Sequence, residues 1–502
     1  LDPVVTFELW ATYRAANNWV ELLYFGSSTI GEIAGPGSSA AYDGANGIVL
    51  PAQIGSNQDQ SGVRGAVGNK TISARLIGAR KHIVLTWDES SDTIKLYHEG
   101  IQVGQFNAGA KMSAIVDVNN WLGRSGWRDA NAQASYREFR IYSRVLSGSE
   151  VRRNYLVGPL DASDATTLAW SGAVNGSWDA ATANWLLGAA PATFADGASV
   201  LFGDNATGST SVNIAAAVAP AATLAVHSAK DYTFSGTGKI TGPGGLTKAG
   251  SGTLTLGSAL ANDFTGPTVL AGGKLAVSSL ASGGIPSPIG ASSANPTNLV
   301  FAGGTLSFQG PPATIDRGYF TTHTNSAIEV QNALTLTGPV AASTSGTMTK
   351  TGPGTLIYAG SGSNSLSGGV FPGYVVARGT VVFDGTAGGQ TNRNMSEFFV
   401  GGTPDYGGHA VISNATLISD SYFSVGRGNG AVGNASSLTL HNGNLLISAN
   451  GLALGYSSGL PNLSSQTLTL NGASTIYMPG FMYLGESAGS SATAFLNGTS
   501  WI

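Results

Sequence analysis

The first 160 residues alternate apolar and polar positions in short runs. Thr6–Trp10, His82–Trp87, Thr93–Tyr97 and Glu138–Tyr142 all follow this two-residue period. A period of two places successive side chains on opposite faces of a strand. Each run therefore predicts a strand with one buried face.

Turn signals link these runs and mark one helix. Asp88–Asp92 separates the second run from the third, and Glu99–Gly100 predicts a tight hairpin after the third. Ser147 is followed three residues later by Glu150, a spacing typical of a capping box, which predicts a short helix over 147–155. Together these elements predict a β-sandwich.

The pattern changes after residue 160 and a longer repeat begins. Val400–Gly401, Val425–Gly426, Leu454–Gly455 and Leu484–Gly485 recur at spacings of 25, 29 and 30 residues. A period of this length, with several short strands in each period, is typical of a solenoid coil. One coil cannot bury its inner face alone, so the stacking of neighbours must supply the stability.

Three tryptophans, Trp170, Trp178 and Trp185, stand at the start of this second part. A solenoid needs its first coil covered, so we predict that they cap its open end. Further along, the string Leu/Met-Thr-Lys-x-Gly-x-Gly-Thr-Leu occurs twice, at Leu246–Leu254 and at Met348–Leu356.

Composition supports an all-β chain with an uncharged surface. Of 502 residues 72 are Gly, and only 10% are charged, more than half of them in the first 160 positions. Low charge suits stacked coils, which would place like charges about 4.8 Å apart. No run of 18 apolar residues occurs, and a hydrophobic fraction of 42% argues against disorder.

Charge and cysteine content exclude several classes of partner and cofactor. The net charge is −4 with no basic patch, so we expect neither nucleic acid nor an anionic membrane as partner, and no membrane insertion. The chain has no Cys, which excludes zinc–thiolate sites and disulfides. It begins without Met and stops within a repeat, so we expect a piece of a longer protein.

The first part resembles the laminin-G-like jelly-roll family of concanavalin A-like folds. The matching segments are Phe7–Trp10, Lys81–Asp88, Ile94–Gly104, Leu122–Ser125 and Glu138–Ser147, in the order expected of the family. The resemblance implies a jelly-roll β-sandwich that binds a glycan or a protein.

The second part is similar to proteins that carry autotransporter-associated β-strand repeats. The two Thr-Lys strings carry this resemblance, with their closing segments Ala271–Val277 and Ala377–Phe383. It implies a right-handed parallel β-helix of the passenger type, exported by a bacterium.

The predicted fold class is all-β, with an N-terminal jelly-roll β-sandwich and a C-terminal parallel β-helix. The predicted segments are a laminin-G-like sandwich over 1–157, a linker over 158–167, a Trp-rich solenoid start over 168–240, a solenoid with autotransporter-associated repeats over 241–395, and regular coils over 396–502, truncated at the C-terminus.

Aromatic side chains are the candidates for ligand binding in the sandwich. Trp19, Trp121 and Trp127 could each stack on the apolar face of a sugar ring, and Trp127 lies beside Arg128 in the loop Ser125–Ala130. The alternative for each of them is a place in the sandwich core.

Other positions of the first part are expected to be structural. Trp10 and Trp87 are predicted to lie in the sandwich core. His82 lies between apolar strand neighbours and is expected to be a core or edge residue rather than a ligand. His98 begins a hairpin turn and is expected to be exposed.

An oxygen-rich set of loop residues is the candidate metal site. Asp43, Asp129 and Asn131 could bind Ca²⁺, which prefers carboxylate and amide oxygens. Arg137 stands where the resembled family usually has an Asp, which argues against a family-type site. No other cofactor is expected.

An enzyme is the competing interpretation, since parallel β-helices include polysaccharide lyases and hydrolases. Such sites need carboxylates, or a carboxylate with His, Lys or Arg, within about 5–10 Å. The candidate groups on the solenoid are Asp316, Arg317 and His323, and Asp405, Tyr406 and His409 with Asp420 and Arg427 one coil later. The alternative is that these side chains are solvated loop residues at the coil corners.

The leading hypothesis is a secreted or bacterial cell-surface protein with a structural or adhesive role. The sandwich would bind a glycan or a surface protein, and the solenoid would serve as its stalk. Self-association of the chain into fibres is a further prediction. The alternatives are a polysaccharide-active enzyme with an attached binding domain, and a trimeric phage-type fibre.

Overall fold

In a computed structural model, the chain forms two compact units, Leu1–Asp161 and Ala162–Ile502. The structure describes residues 3–13, 21–26, 47–51, 60–65, 70–73, 81–107, 119–124 and 131–157 of the first unit, and residues 167–502 of the second apart from 205, 221–223, 402–406, 428–433, 457–463 and 486–488.

The described part of the first unit contains ten strands and one helix. They are β1 (Val4–Tyr13), β2 (Glu21–Gly26), β3 (Gly47–Pro51), β4 (Gln60–Gly65), β5 (Lys70–Ser73), β6 (Lys81–Asp88), β7 (Thr93–His98), β8 (Ile101–Asn107), β9 (Asn119–Leu122), β10 (Ala134–Tyr142) and α1 (Gly148–Val157).

These strands form two antiparallel five-stranded sheets that face each other. One sheet has the order β10-β1-β6-β7-β8 and the other β5-β4-β3-β2-β9. Alternate side chains of β1 and β2 meet between them, where the ring centroids of Phe7 and Phe25 lie 4.9 Å apart. The predicted β-sandwich is confirmed.

The predicted hairpin and helix are also confirmed. Glu99 and Gly100 both adopt positive φ, at 51° and 74°, as a two-residue turn between twisted strands requires. At the start of α1 the Ser147 amide donates to Glu150 Oε2 at 2.8 Å, and the Glu150 amide donates to Ser147 Oγ at 3.3 Å. This reciprocal pair satisfies two amide groups that the helix leaves free.

Two expectations for the sandwich were wrong. His98 is only 7% exposed, because β7 continues through it and the two-residue period places it in the core-facing row with Ile94 and Leu96. Burial lowers the pKa of His98 to about 4. Trp87 lies in the core as predicted, but Trp10 is buried on the opposite face of the sheet, with its ring centroid 4.4 Å from that of His82.

The second unit contains 37 strands and one 3₁₀-helix in its described residues. They are β11 (Thr167–Trp170), β12 (Trp185–Leu187), β13 (Ala190–Ala192), β14 (Ser199–Gly203), β15 (Ser211–Asn213), β16 (Ala217–Val218), β17 (Leu224–His227), β18 (Tyr232–Ser235), β19 (Lys239–Ile240), β20 (Leu246–Ala249), β21 (Thr253–Leu256), β22 (Thr268–Leu270), β23 (Lys274–Val277), the 3₁₀-helix (Pro296–Asn298), β24 (Leu299–Phe301), β25 (Thr305–Phe308), β26 (Ala313–Ile315), β27 (Tyr319–Thr321), β28 (Ala327–Val330), β29 (Ala333–Leu336), β30 (Val340–Ala342), β31 (Met348–Thr351), β32 (Thr355–Tyr358), β33 (Gly362–Ser367), β34 (Tyr374–Val376), β35 (Gly379–Asp384), β36 (Gln390–Asn394), β37 (Phe398–Val400), β38 (Gly408–Ser413), β39 (Thr416–Ser419), β40 (Phe423–Val425), β41 (Ala435–His441), β42 (Asn444–Ile447), β43 (Leu452–Leu454), β44 (Ser465–Asn471), β45 (Thr475–Tyr477), β46 (Met482–Leu484) and β47 (Ser491–Leu496).

These strands stack in parallel, which confirms the predicted β-solenoid. Each coil adds strands to sheets that continue from one coil to the next. The sheets are β13-β12-β11-β14-β17-β20-β22-β24-β27-β30, β15-β18-β21-β23-β25-β28-β31-β34-β37-β40-β43-β46, β26-β29-β32-β35-β38-β41-β44-β47, β33-β36-β39-β42-β45 and β16-β19. Only β11, β12 and β13 pair antiparallel among the described strands of this unit.

The antiparallel strands carry the tryptophan cap. Trp170, Trp178 and Trp185 are each at most 1% exposed. The ring centroids of all three lie within 5.3 Å of the Phe202 ring centroid. Trp178 also meets Phe234 of the next coil at 6.1 Å. The cluster covers the first coil, as predicted.

Inward-facing side chains form rows that repeat from coil to coil. Tyr374 stacks on Phe398 at 5.1 Å, and Phe398 stacks on Phe423 at 4.9 Å, with the ring planes nearly parallel. These separations match the spacing of hydrogen-bonded strands, about 4.8 Å. Each coil therefore buries its inner face on the coil before it.

Each of the two Thr-Lys strings places a lysine in such an apolar row. Lys350 is fully buried between apolar residues of the adjacent coils. Its Nζ donates to the carbonyls of Thr351 at 2.9 Å, Gly352 at 2.8 Å and Arg378 at 2.8 Å. The ammonium thus satisfies carbonyls of its own corner and of the next coil.

Lys248 repeats this arrangement 102 residues earlier. Its Nζ donates to Ala249 O at 2.7 Å, Gly250 O at 3.1 Å and Gly272 O at 3.3 Å. The glycine that follows in the next coil, Gly273 here, has φ of 59°, and a Cβ there would lie 2.8 Å from Lys248 Nζ. The repeated string therefore encodes a cross-coil lysine clamp.

Replacing a clamp lysine should loosen its corner. In Lys350→Met we expect the local free energy of unfolding to fall by about 1–3 kcal/mol, because buried carbonyls lose their donor. Hydrogen-exchange mass spectrometry of peptides from β31 and β34 measures this loss. Lys239→Met is the matched control, since Lys239 is 44% exposed and pairs with Asp263 on the surface. Equal protection in both variants would contradict the clamp.

The clamps also predict a pH dependence. Burial lowers the pKa of Lys248 and of Lys350 to about 8, whereas an unfolded Lys titrates near about 10.4. Between these values the unfolded chain binds more protons, so the stability of the solenoid rises with pH. We expect the unfolding temperature of the wild type, relative to the Lys248→Met/Lys350→Met double variant, to increase from about pH 8 to about pH 9.5 by circular dichroism. A constant difference would argue against it.

Candidate functional site

Of the three tryptophans predicted to stack on a sugar ring, Trp121 alone lies within the described residues. It is half-buried on β9, paired with Tyr24 of β2, and the two rings stack with centroids 5.4 Å apart. The guanidinium of Arg124 lies 4.1 Å from the Trp121 ring centroid. Since Leu23 and Phe25 fill the core face of β2, this stack lies on the outer face of the sandwich.

The other predicted site residues lie outside the described residues, except one. Asn131 is exposed and lies just before β10. Within the described ranges no three His, Asp or Glu side chains group as metal ligands. The stacking role and the calcium site therefore stay predictions. The residues outside the described ranges are Trp19, Asp43, Trp127, Arg128 and Asp129.

A denser polar cluster surrounds Glu8, which is completely buried on the face of its sheet under α1. His82 Nε2 lies 2.9 Å from Glu8 Oε1. Glu8 Oε2 accepts hydrogen bonds from Tyr142 Oη at 2.7 Å and Asn154 Nδ2 at 3.0 Å, and lies 3.4 Å from the Arg140 guanidinium. The carboxylate is thus surrounded by donors.

These contacts keep the Glu8 carboxylate charged inside the protein. Burial would raise its pKa, but the hydrogen bonds from His82 and Tyr142 and the charges of His82 and Arg140 outweigh it and lower the pKa. Because Glu8 and His82 are at most 1% exposed, no ligand reaches them. We interpret the cluster as the attachment of α1 to the sheet.

Neutralising Glu8 should destabilise the first unit. We expect Glu8→Gln to lower the free energy of unfolding by about 1–3 kcal/mol, whereas Glu138→Gln, which breaks a more exposed pair with Arg140, costs less than about 1 kcal/mol. Hydrogen exchange of β1 and β6 peptides measures both. Since the folded pKa is lowered, the effect is full above pH about 4.3 and fades as the pH falls further. Equal effects in both variants would contradict this account.

The charged groups considered for catalysis on the solenoid are engaged separately. His409 Nδ1 bonds Ser437 Oγ at 2.9 Å, and Asp420 pairs with Arg393 at 2.8 Å. Arg427 forms its ion pair with a different carboxylate, described below. The structure therefore does not bring Asp420 and Arg427 together as a pair, and Asp405 and Tyr406 lie outside the described residues.

The second set of catalytic candidates on the solenoid, Asp316, Arg317 and His323, also makes local contacts. Asp316 accepts the Gly283 amide at 2.6 Å. Arg317 is 2% exposed and donates to Gly290 O at 2.8 Å, which ties two segments of the coil together. His323 is 8% exposed, and its Nδ1 accepts the Asn325 amide.

A cleft that the sequence did not predict lies on the outer face of the sheet that contains β37, β40, β43 and β46. It encloses about 220 Å³. We call it the tyrosine cleft; its lining consists of Glu397, Tyr422, Ser424, Arg427, Ala453, Tyr456 and Tyr483.

The strand register explains why the sheet is indented here. Phe399, Ser424, Ala453 and Tyr483 occupy one outward row across four successive coils. Two small residues between two large ones leave a depression. The floor is therefore a consequence of side-chain size at one position of the repeat.

An ion pair closes one side of the tyrosine cleft. Glu397 is 3% exposed, accepts the Ser424 hydroxyl and pairs with the Arg427 guanidinium. The guanidinium lies 4.8 Å from the Phe399 ring centroid and 5.2 Å from that of Tyr456. These rings fix the orientation of Arg427. In the sequence the signal for this contact is the coil period itself, which places Arg427 and Tyr456 at equivalent positions of successive coils.

Comparison with known protein families agrees with both predicted resemblances. The profile of the Concanavalin A-like lectin/glucanases superfamily, a laminin-G type, matches residues 4–152. The profile of the Passenger-associated-transport-repeat matches residues 246–277 and 348–386, which contain the two lysine clamps. The chain thus carries a laminin-G-like domain followed by passenger-type repeats.

A curated relative shares part of the chain. It is the adhesin BmaC autotransporter of Brucella suis, 34% identical over 241 residues, which are 46% of this chain. The chain spans 6% of that relative's length. Passenger-type repeats and an autotransporter relative place the chain among proteins secreted by bacteria or displayed on their surface, which confirms the predicted localisation.

Solved structures similar to this chain include two from sialidases. The CBM40 of a Ruminococcus gnavus sialidase bound to α2,3-sialyllactose is 18% identical over 30% of this chain and 82% of its own, with a TM-score of 0.23. The Trypanosoma rangeli sialidase is 18% identical over 30% of this chain and 22% of its own, with a TM-score of 0.20. Neither likeness bears on what this chain binds.

Proposed function

We propose that this chain is the adhesive part of a bacterial surface or secreted protein, in which the laminin-G-like domain binds a glycan or a protein and the solenoid serves as its stalk. The observation that carries the proposal is the combination of a concanavalin A-like sandwich with a parallel solenoid built on passenger-type repeats. A relative named as an adhesin supports it.

The physical properties of the solenoid suit a stalk. Its coils add one after another on a continuous apolar interior, so length can grow without a new fold. Among the described residues no helix is long and apolar enough to cross a membrane. Self-association into fibres stays a prediction.

A polysaccharide-active enzyme is the less favoured function. In the described part of the solenoid, His409, Asp420 and Asp316 each form local contacts with different partners. A hydrolase or lyase needs such groups to converge on one substrate. The proposal is therefore a binding protein rather than an enzyme.

Binding by the first unit can be tested on the full chain. We expect the wild type to bind at least one member of a glycan array or a panel of extracellular-matrix proteins, and Trp127→Ala and Trp121→Ala to weaken that binding by about tenfold or more. Loss of a stacking ring removes apolar contact that polar groups cannot replace. Biolayer interferometry gives the affinities.

Trp501→Ala is the matched control, because Trp501 is a 72% exposed tryptophan of the second unit. It should bind as the wild type does. Full binding in both sandwich variants would move the site away from these residues. Binding to no glycan and no matrix protein would overturn the adhesive role of this domain.

A further inference from the structure

The aromatic lining of the tyrosine cleft is not explained by the packing of the coils. In the outward row the flanking residues are Phe399 and Tyr483, whereas the buried interior is formed by the neighbouring inward positions, such as Phe398 and Leu452. Outward side chains contribute little to the interior. An aromatic and charged group on this face therefore calls for another explanation.

Three tyrosine side chains line the cleft. Within the described residues the hydroxyls of Tyr422, Tyr456 and Tyr483 make no hydrogen bond. Tyrosine presents an apolar ring face together with a polar tip, a combination common at binding surfaces. Such a lining suits a ligand that has both an apolar face and hydroxyl groups.

The charges of the cleft cancel. Among the lining residues that the structure describes, Glu397 and Arg427 alone are charged, and they pair with each other. A sugar acid would find no unpaired cation here, and a cationic ligand would find no unpaired anion. The electrostatics therefore favour a neutral ligand.

The polar pair also disfavours a purely apolar ligand. Covering Glu397 and Arg427 with a hydrocarbon side chain would remove their water without replacing its hydrogen bonds, which is costly. Neighbouring hydroxyls on a ring can instead donate to the carboxylate and accept from the guanidinium, and such charge-assisted bonds are strong.

The size of the cleft suits a ligand of one ring. Its volume of about 220 Å³ lies below the range of about 300–1,000 Å³ usual for larger ligands. The cleft admits one sugar ring, with the rest of a glycan directed away from the sheet.

We propose that the tyrosine cleft binds a single neutral pyranose residue, with its C–H face on the tyrosine rings and its hydroxyls on the Glu397–Arg427 pair. This is a second binding site on the stalk itself. It is independent of the ligand of the laminin-G-like domain, and either site can fail without the other.

The test uses the full chain and free monosaccharides as probes. Saturation-transfer NMR and calorimetry are run with D-glucose, D-galactose, D-mannose and N-acetyl-D-glucosamine, with D-glucuronate and N-acetylneuraminate as anionic counterparts. We expect saturable binding of at least one neutral sugar, and weaker binding of both acids. Ala453→Leu fills the floor and Arg427→Met removes the guanidinium, so each should weaken binding by about tenfold or more.

Two matched variants serve as controls. Arg393→Met, which breaks an Arg–Asp pair elsewhere on the same coils, and Lys239→Met, which breaks an exposed Lys–Asp pair on an earlier coil, should both bind as the wild type does. Trp121→Ala, which alters the proposed site of the first unit, shows which of the two sites a sugar occupies. Because Ala453→Leu retains the ion pair, it keeps the test valid if Arg427→Met does not fold, and circular dichroism checks each variant.

Four results would overturn the proposal. The first three are the binding of no neutral sugar, unchanged binding in Ala453→Leu, and tighter binding of an acid than of any neutral sugar. Loss of monosaccharide binding in Trp121→Ala alone would also overturn it, while supporting the proposed role of the laminin-G-like domain.

Discussion

The parallel stacking of coils is the constraint on which the second unit depends. Each inward side chain must fit the equivalent one in the next coil at about 4.8 Å, since no coil buries its interior alone. The stack of Tyr374, Phe398 and Phe423 meets this condition with nearly parallel rings. The condition applies to the inward face of every strand, whereas the outward positions vary in size from coil to coil, as Ser424 and Tyr483 show. The interior is therefore more strictly determined than the outer surface.

Polar groups enter this interior only where the fold supplies partners. The clamp lysines, Lys248 and Lys350, donate to corner carbonyls of their own coil and of the next. Tyr319, Tyr358 and Tyr374 link their hydroxyls at 2.7 and 2.8 Å inside the same core. A buried polar group without partners costs about 1–3 kcal/mol, so such groups persist where they join one coil to another.

The sequence predicted the features that depend on periodicity and failed where a feature depends on lateral neighbours. Period-two runs and the coil period predicted the sandwich and the solenoid, because burial repeats along the chain. His98 was placed wrongly, since the turn after it obscured the continuing strand. The sequence does not predict the tyrosine cleft, although Arg427 is among its candidate residues. The partner of Arg427, Glu397, lies 30 positions earlier and meets Arg427 only through the register of adjacent coils.

This register also links the outer surface to the integrity of the stack. The lining of the tyrosine cleft comes from four successive coils, from residues on or directly beside β37, β40, β43 and β46, so no single coil contains the site. A ligand that binds only the stacked state stabilises that state by RT ln(1 + [L]/Kd), so the stabilisation grows with ligand concentration. Surface sites on a solenoid are therefore coupled to the same coil-to-coil contacts that hold the interior together, whereas the Glu8 cluster of the sandwich stabilises its helix without any access to a ligand.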